Sequence, residues 1–98
     1  MLHNGEYYHF YHGTDDSKGK RLYSIGVAVF EPRPPFRVTR MTTEPLDIAS
    51  KHPRGGVDVI FPGGAMFIDG RWVIACGVHD MHSEIRFYDA DLVESLLS

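Results

Sequence analysis

The dipeptide Asp69-Gly70 constrains this chain more than any other feature. Both residues tolerate positive φ, and they sit between two apolar runs, residues 65–68 and 71–78. That is the signature of a two-residue hairpin turn, and it commits the C-terminal half to antiparallel strands. Similar punctuation recurs along the chain. Residues 6–12 are rich in Tyr and Phe and read as a strand. Residues 13–20 are polar and bounded by glycine, so they read as a hairpin loop. Residues 21–31 form the clearest strand. Tyr23, Ile25, Val27 and Val29 fall on one face, and Leu22, Ser24, Gly26, Ala28 and Phe30 on the other. Apolar or small residues on both faces place it inside a sheet. Pro32-Arg33-Pro34-Pro35 ends it, because proline cannot donate to a ladder.

Residues 36–42 read as a third strand and residues 44–57 as loop. Residues 57–61 begin another strand, which Pro62-Gly63-Gly64 breaks before it resumes at Ala65. Residues 83–88 make one more strand. Residues 90–97 suit a short helix, with Asp89 as N-cap and Leu92, Val93, Leu96 and Leu97 on one side. Short strands joined by hairpins, with one trailing helical turn, predict an all-β antiparallel protein. The chain has 98 residues, the size of a single domain. Residues 5–13 and 70–77 share a plan of Gly turn, charged residue, aromatic and apolar strand ending at Gly. This predicts two blade-like repeats, roughly 5–45 and 57–98, each a meander like a β-propeller blade.

The net charge of −3 argues against a sequence-independent grip on nucleic acid. No run approaches the ~18 apolar residues of a membrane-spanning helix, and the first residues have no basic and apolar leader pattern. One cysteine, Cys76, lies in an apolar run and reads as a buried, inert thiol. These features lead to the expectation of a cytoplasmic protein without a membrane partner. No phosphate-cradling Gly loop, no Gly-x-Ser-x-Gly elbow and no Cys/His metal spacing is present, so no cofactor and no metal are expected.

Four segments carry a resemblance: Phe10-Tyr11-His12-Gly13, the strand Arg21-Leu22-Tyr23-Ser24-Ile25-Gly26-Val27-Ala28, Val59-Ile60-Phe61-Pro62-Gly63-Gly64, and Gly77-Val78-His79-Asp80. In order and spacing they resemble the C-terminal part of the five-bladed β-propellers of glycoside hydrolase family 130, the mannosyl-glycoside phosphorylases and their hydrolase relatives. The resemblance implies that His12 faces an anion and Asp80 a sugar hydroxyl. Tyr11, His79, Gly63 and Gly64 then complete the ligand-binding set. Cys76 stands where the family usually has Tyr. The family's catalytic acid and paired phosphate-binding arginines come from blades with no counterpart here. The resemblance therefore implies a partial glycosidase-like module, non-catalytic by itself, that binds carbohydrate or phosphate. An enzyme completed by oligomerisation, with Asp15, Asp16, Asp58 or Glu84 as acid, and a purely structural or interaction protein are the alternatives.

Each candidate also has a simpler role. His12 can be a strand-end histidine bonded to backbone, and Asp80 a turn residue. The Tyr7, Tyr8, Phe10 and Tyr11 cluster can stack on sugars or pack across strands. His79 and His82, three apart, suit a metal only on a helix. Pro62-Gly63-Gly64 can approach a ligand or form a bulge. Arg33, Arg37, Arg40 and Arg54 read as solvated. Two blades cut from a ring leave bare edges and faces, so a homo-oligomer, most simply a symmetric dimer, is expected.

Overall fold

In the computed structural model, residues 1–16, 21–50, 58–79 and 81–98 are described. Short β-prone runs separated by turn residues build two antiparallel sheets. The first contains β1 (Leu2–His3), β2 (Glu6–Asp15), β3 (Leu22–Phe30), β4 (Val38–Met41) and β5 (Asp47–Ile48). They run in the order β1-β2-β3-β4, with β5 also paired to β3. The second is the meander β6 (Ile60–Ile68), β7 (Arg71–Val78), β8 (His82–Asp89), followed by helix α1 (Ala90–Leu96). The expected all-β architecture with a short terminal helix is the one adopted. As expected, β3 is an interior strand, and Ile25 to Val29 are buried without interruption.

Several boundaries differ from the sequence reading. Asn4 and Gly5 both take positive φ, as Asp69 and Gly70 do, so a second two-residue turn folds β1 back onto β2. The loop expected from Gly13 starts later, because Gly13, Thr14 and Asp15 still pair with Ser24, Tyr23 and Leu22. The segment read as loop after Glu44 supplies β5, whose Asp47 and Ile48 pair with Ile25 and Ser24. Pro62-Gly63-Gly64 does not break its strand. Pro62 pairs with Cys76 and Ala65 with Ile74, so Gly63 and Gly64 together face Ala75 in a bulge. Asp89 occupies the N-cap position of α1, but its side chain makes no capping hydrogen bond.

The two sheets press their inner faces together. Tyr8 and Phe10 of β2 and Ile25, Val27 and Val29 of β3 meet Ile60, Trp72, Ile74, Cys76, Tyr88 and Val93. Trp72 is 1% exposed and is the hub. Its ring centroid lies 5.0 Å from those of Tyr8, Phe10 and His3, and 5.1 Å from Phe67. Cys76 is buried as expected, and burial raises its thiol pKa, which keeps it protonated and unreactive.

Two arginines lash the rim of this core. Arg40, read from sequence as solvated, instead donates from β4 to Glu94 of α1 (2.7 Å), to Glu6 (3.2 Å) and to the Tyr8 hydroxyl (3.1 Å). Arg86 of β8 donates to Asp47 of β5 (2.8 Å) and to Glu84 (3.0 Å), while the Tyr88 hydroxyl also donates to Asp47 (2.5 Å). Burial and the Asp47 carboxylate both push the Tyr88 pKa up. Burial opposes ionisation of Glu94, but the bonds from Tyr8 and Arg40 outweigh it and lower its pKa.

Two predictions follow from this packing. Trp72→Ala removes the hub and should cost about 3–5 kcal/mol in urea unfolding, a large part of the ~5–15 kcal/mol typical of a domain. A loss below about 1 kcal/mol would refute the hub role. Because the folded Glu94 pKa is depressed, its contribution is complete above the ordinary carboxylate range and fades as pH falls through the folded value. Glu94→Gln should therefore lower Tm near neutral pH, and that deficit should shrink below about pH 4. Equal melting curves for both proteins near neutral pH would contradict this.

Candidate functional site

The pleat of β2 decides which candidates can act together. Tyr8, Phe10 and His12 point toward the second sheet, whereas Tyr7, His9 and Tyr11 point the other way. Tyr11 and His12, adjacent in the resemblance motif, therefore lie on opposite faces and cannot line one pocket. The aromatic cluster read from sequence divides in the same manner. Tyr8 and Phe10 are core, and Tyr7 and Tyr11 face outward.

His12 sits where the core ends. Its ring meets Phe61 edge-on at 4.8 Å and lies 6.1 Å from Tyr23, and Tyr23 meets Phe61 at 5.2 Å. His12 is nonetheless exposed, and among the described residues its ring makes these aromatic contacts rather than the backbone hydrogen bond considered from sequence. His79, at the end of β7, is buried with φ of 55°. The Val59 N–H donates to its Nδ1 (3.1 Å), and its Nε2 lies 3.2 Å from Ser50 Oγ. Since Nδ1 accepts, the neutral ring carries its hydrogen on Nε2 and donates it to Ser50. A Ser-His nucleophile pair needs the opposite polarity, so this contact is structural. His82 is exposed and bonds Glu84 at 2.7 Å. Among the described residues no group of three or more metal-ligating side chains converges. Asp80 lies outside the described residues, as does Arg54.

Gly63 and Gly64 are exposed at the β6 bulge. A Cβ at Gly63 would come 3.1 Å from the Ala75 carbonyl oxygen, so glycine there serves close passage of β6 over β7. Of the carboxylates considered as an acid, Glu84 is bonded by His82 and then Arg86, and both lower its pKa. A general acid needs the opposite shift.

Sequence reasoning overlooked a cleft on the outer face of the first sheet. The Tyr11 ring lies directly on Gly26 of β3. A Cβ there would stand 2.6 Å from Tyr11 Cζ and 2.7 Å from its hydroxyl oxygen. Only glycine lets the ring lie this close to the strand. Beside it opens a cleft of about 160 Å³, lined by Tyr11, Ser24, Gly26, Thr42, Thr43 and Glu44. β3 supplies the floor and the segment after β4 supplies one wall. Thr42 is fixed there, because the Val27 N–H donates to its Oγ1 at 3.1 Å and its own N–H donates to the Val27 carbonyl at 2.9 Å. Farther along the same face, His9 stacks near Tyr11 at 6.1 Å, and Tyr7 meets Phe36 edge-on at 6.3 Å. Gly26 inside an apolar strand was the available signal for a close approach, but the strand pattern alone does not say what approaches.

No family model matches this chain, and neither a curated protein nor a solved structure does.

Proposed function

We propose that this chain is a non-catalytic carbohydrate-binding module, related in plan to glycosidase propellers, and that its ligand site is the Tyr11–Gly26 cleft. The observation that carries this reading is the aromatic ring of Tyr11 packed directly on Gly26 beside the hydroxyl residues Ser24, Thr42 and Thr43 and the carboxylate of Glu44. A pyranose has one C–H face and a rim of hydroxyls. An aromatic ring suits the first, and Ser24, Thr42, Thr43 and Glu44 suit the second. The cleft is about half the ~300 Å³ at which drug-sized sites begin, which favours one sugar ring over an oligosaccharide.

Glu44 in the wall and the lack of any arginine or lysine among the lining residues favour a neutral polyol over phosphate. Binding without chemistry fits the carboxylates near the sheet ends. Glu84 and Glu94 are both held ionised, and Asp47 is occupied by Arg86 and Tyr88. The sector around His12 and Asp80 implied by the resemblance is a less favoured location, since the His12 ring is packed against Phe61.

The test is titration with mannose and glucose, followed by NMR chemical shifts. Binding is expected with Kd in the millimolar range, near 4 kcal/mol. Tyr11→Ala should weaken it at least tenfold, about 1.4 kcal/mol. Gly26→Ala should push the Tyr11 ring off the strand and weaken binding similarly, while the fold persists. Asp80→Ala should leave it unchanged. No shift with either sugar, or a shift lost in Asp80→Ala but kept in Tyr11→Ala, would overturn this assignment.

A further inference from the structure

The outward face of the second sheet is bare. Register and alternation put Met66 and Ile68 of β6, Arg71, Val73 and Ala75 of β7, and Ile85 and Phe87 of β8 on it, with Asp89 at its end. Met66, Ile68, Ile85 and Phe87 are 57%, 44%, 59% and 56% exposed. Met66, Val73 and Phe87 form one row across the three strands, and Ala75 and Ile85 pair in the next. Apolar residues thus occupy both faces at β6 and β7, while on β8 the outward positions are the apolar ones and the inward ones carry His82, Glu84, Arg86 and Tyr88. An antiparallel sheet with one face in water would alternate apolar with polar.

We infer that this face docks a second copy of the same chain, giving a symmetric dimer joined back to back through β6, β7 and β8. Two observations select a second copy. The first is area. The exposed parts of these side chains come to roughly 500 Å², at the upper end of what a monomer leaves bare, and two copies reach the ~1,000 Å² of a specific interface. The second is charge. Arg71 and Asp89 are the charged residues at the outward positions of these strands, and they are opposite in sign and paired in register. A two-fold axis can set the arginine of each copy against the aspartate of the other, so the face is complementary to itself. Arg71 already lies over the Phe87 ring at 5.2 Å, which holds the guanidinium at the margin of the apolar rows.

The inference does not rest on the sugar reading, because it uses the opposite face of the molecule. It is tested by light scattering on the full chain across micromolar concentrations. The expected mass is twice that of one chain. Ile85→Lys and Met66→Lys, on different strands, each place a charge on the face without touching the core. Each should weaken self-association at least 100-fold, with circular dichroism unchanged. Leu92→Lys, on an exposed part of α1, should leave the dimer intact. If one variant unfolds, the other decides. A single-chain mass at every concentration overturns the inference and assigns the face to a different partner. A dimer that dissociates equally in wild type and both folded lysine variants overturns it as well. Loss of the dimer in Ile85→Lys with sugar shifts retained would separate the two proposals.

Discussion

The contact of Trp72 with both sheets is the constraint on which the rest of this structure depends. Neither sheet can bury a face alone. The second has three strands, and the first is completed by short β1, β4 and β5. Trp72 rises from the middle of the second sheet into the aromatic rings of β1, β2 and β6. Once that wedge is seated, the polar groups at the core's margin must find partners or remain in water. Arg40 and Arg86 supply those partners. The first ties helix α1 to the first sheet, and the second ties the short β5 segment to β8. The wall of the cleft is tied down on both sides of Thr43 in consequence. Thr42 pairs with Val27, and Asp47 is bound to Arg86 and Tyr88.

Burying the inner faces leaves the outer ones to define what the molecule can do, and the two differ in kind. Outside the first sheet, Tyr11 covers Gly26, hydroxyls line the adjoining cleft, and Phe36 leans on Tyr7. Outside the second sheet there is an apolar plane with charge only at its end. A polar cleft with one aromatic ring favours a small hydroxylated ligand, while a flat apolar plane favours another protein surface.

The parts of this fold that were legible in the sequence are those set by residues close together in the chain. Asp69-Gly70 fixes the β6–β7 hairpin, and the apolar run from Ile25 to Val29 marks an interior strand. Asn4-Gly5 carried the same turn signal as Asp69-Gly70, and it does close the β1–β2 hairpin. The bulge at Gly63 and Gly64 was one of two readings that the local sequence allowed. The pairings of Asp47 with Arg86 and of Arg40 with Glu94 span 39 and 54 positions. No local pattern encodes them, so Arg40 looked like an ordinary solvated side chain. The candidate site was obscured for a related reason. Tyr11 and His12 are neighbours in a motif, yet a strand sends neighbours to opposite faces. A motif read as a string merges two surfaces that the pleat keeps apart.

A dimer joined through the second sheets would place the first sheets, and hence the two clefts, on its two outer flanks. A cleft of about 160 Å³ is small, so a ligand the size of one sugar ring would bind there weakly. Two such clefts facing outward gain little from a free monosaccharide, which occupies each independently. A flexible polymer that repeats the same sugar would be different, because the second contact would become intramolecular and avidity can exceed single-site affinity by about 10²–10⁴-fold. Clefts on opposite flanks could not both reach one flat surface, so such a dimer would favour ligands that bridge around it or link successive dimers. Were both proposals to hold, the role that would follow is cross-linking of repetitive glycans, which needs weak sites and a firm apolar seam rather than a catalytic group.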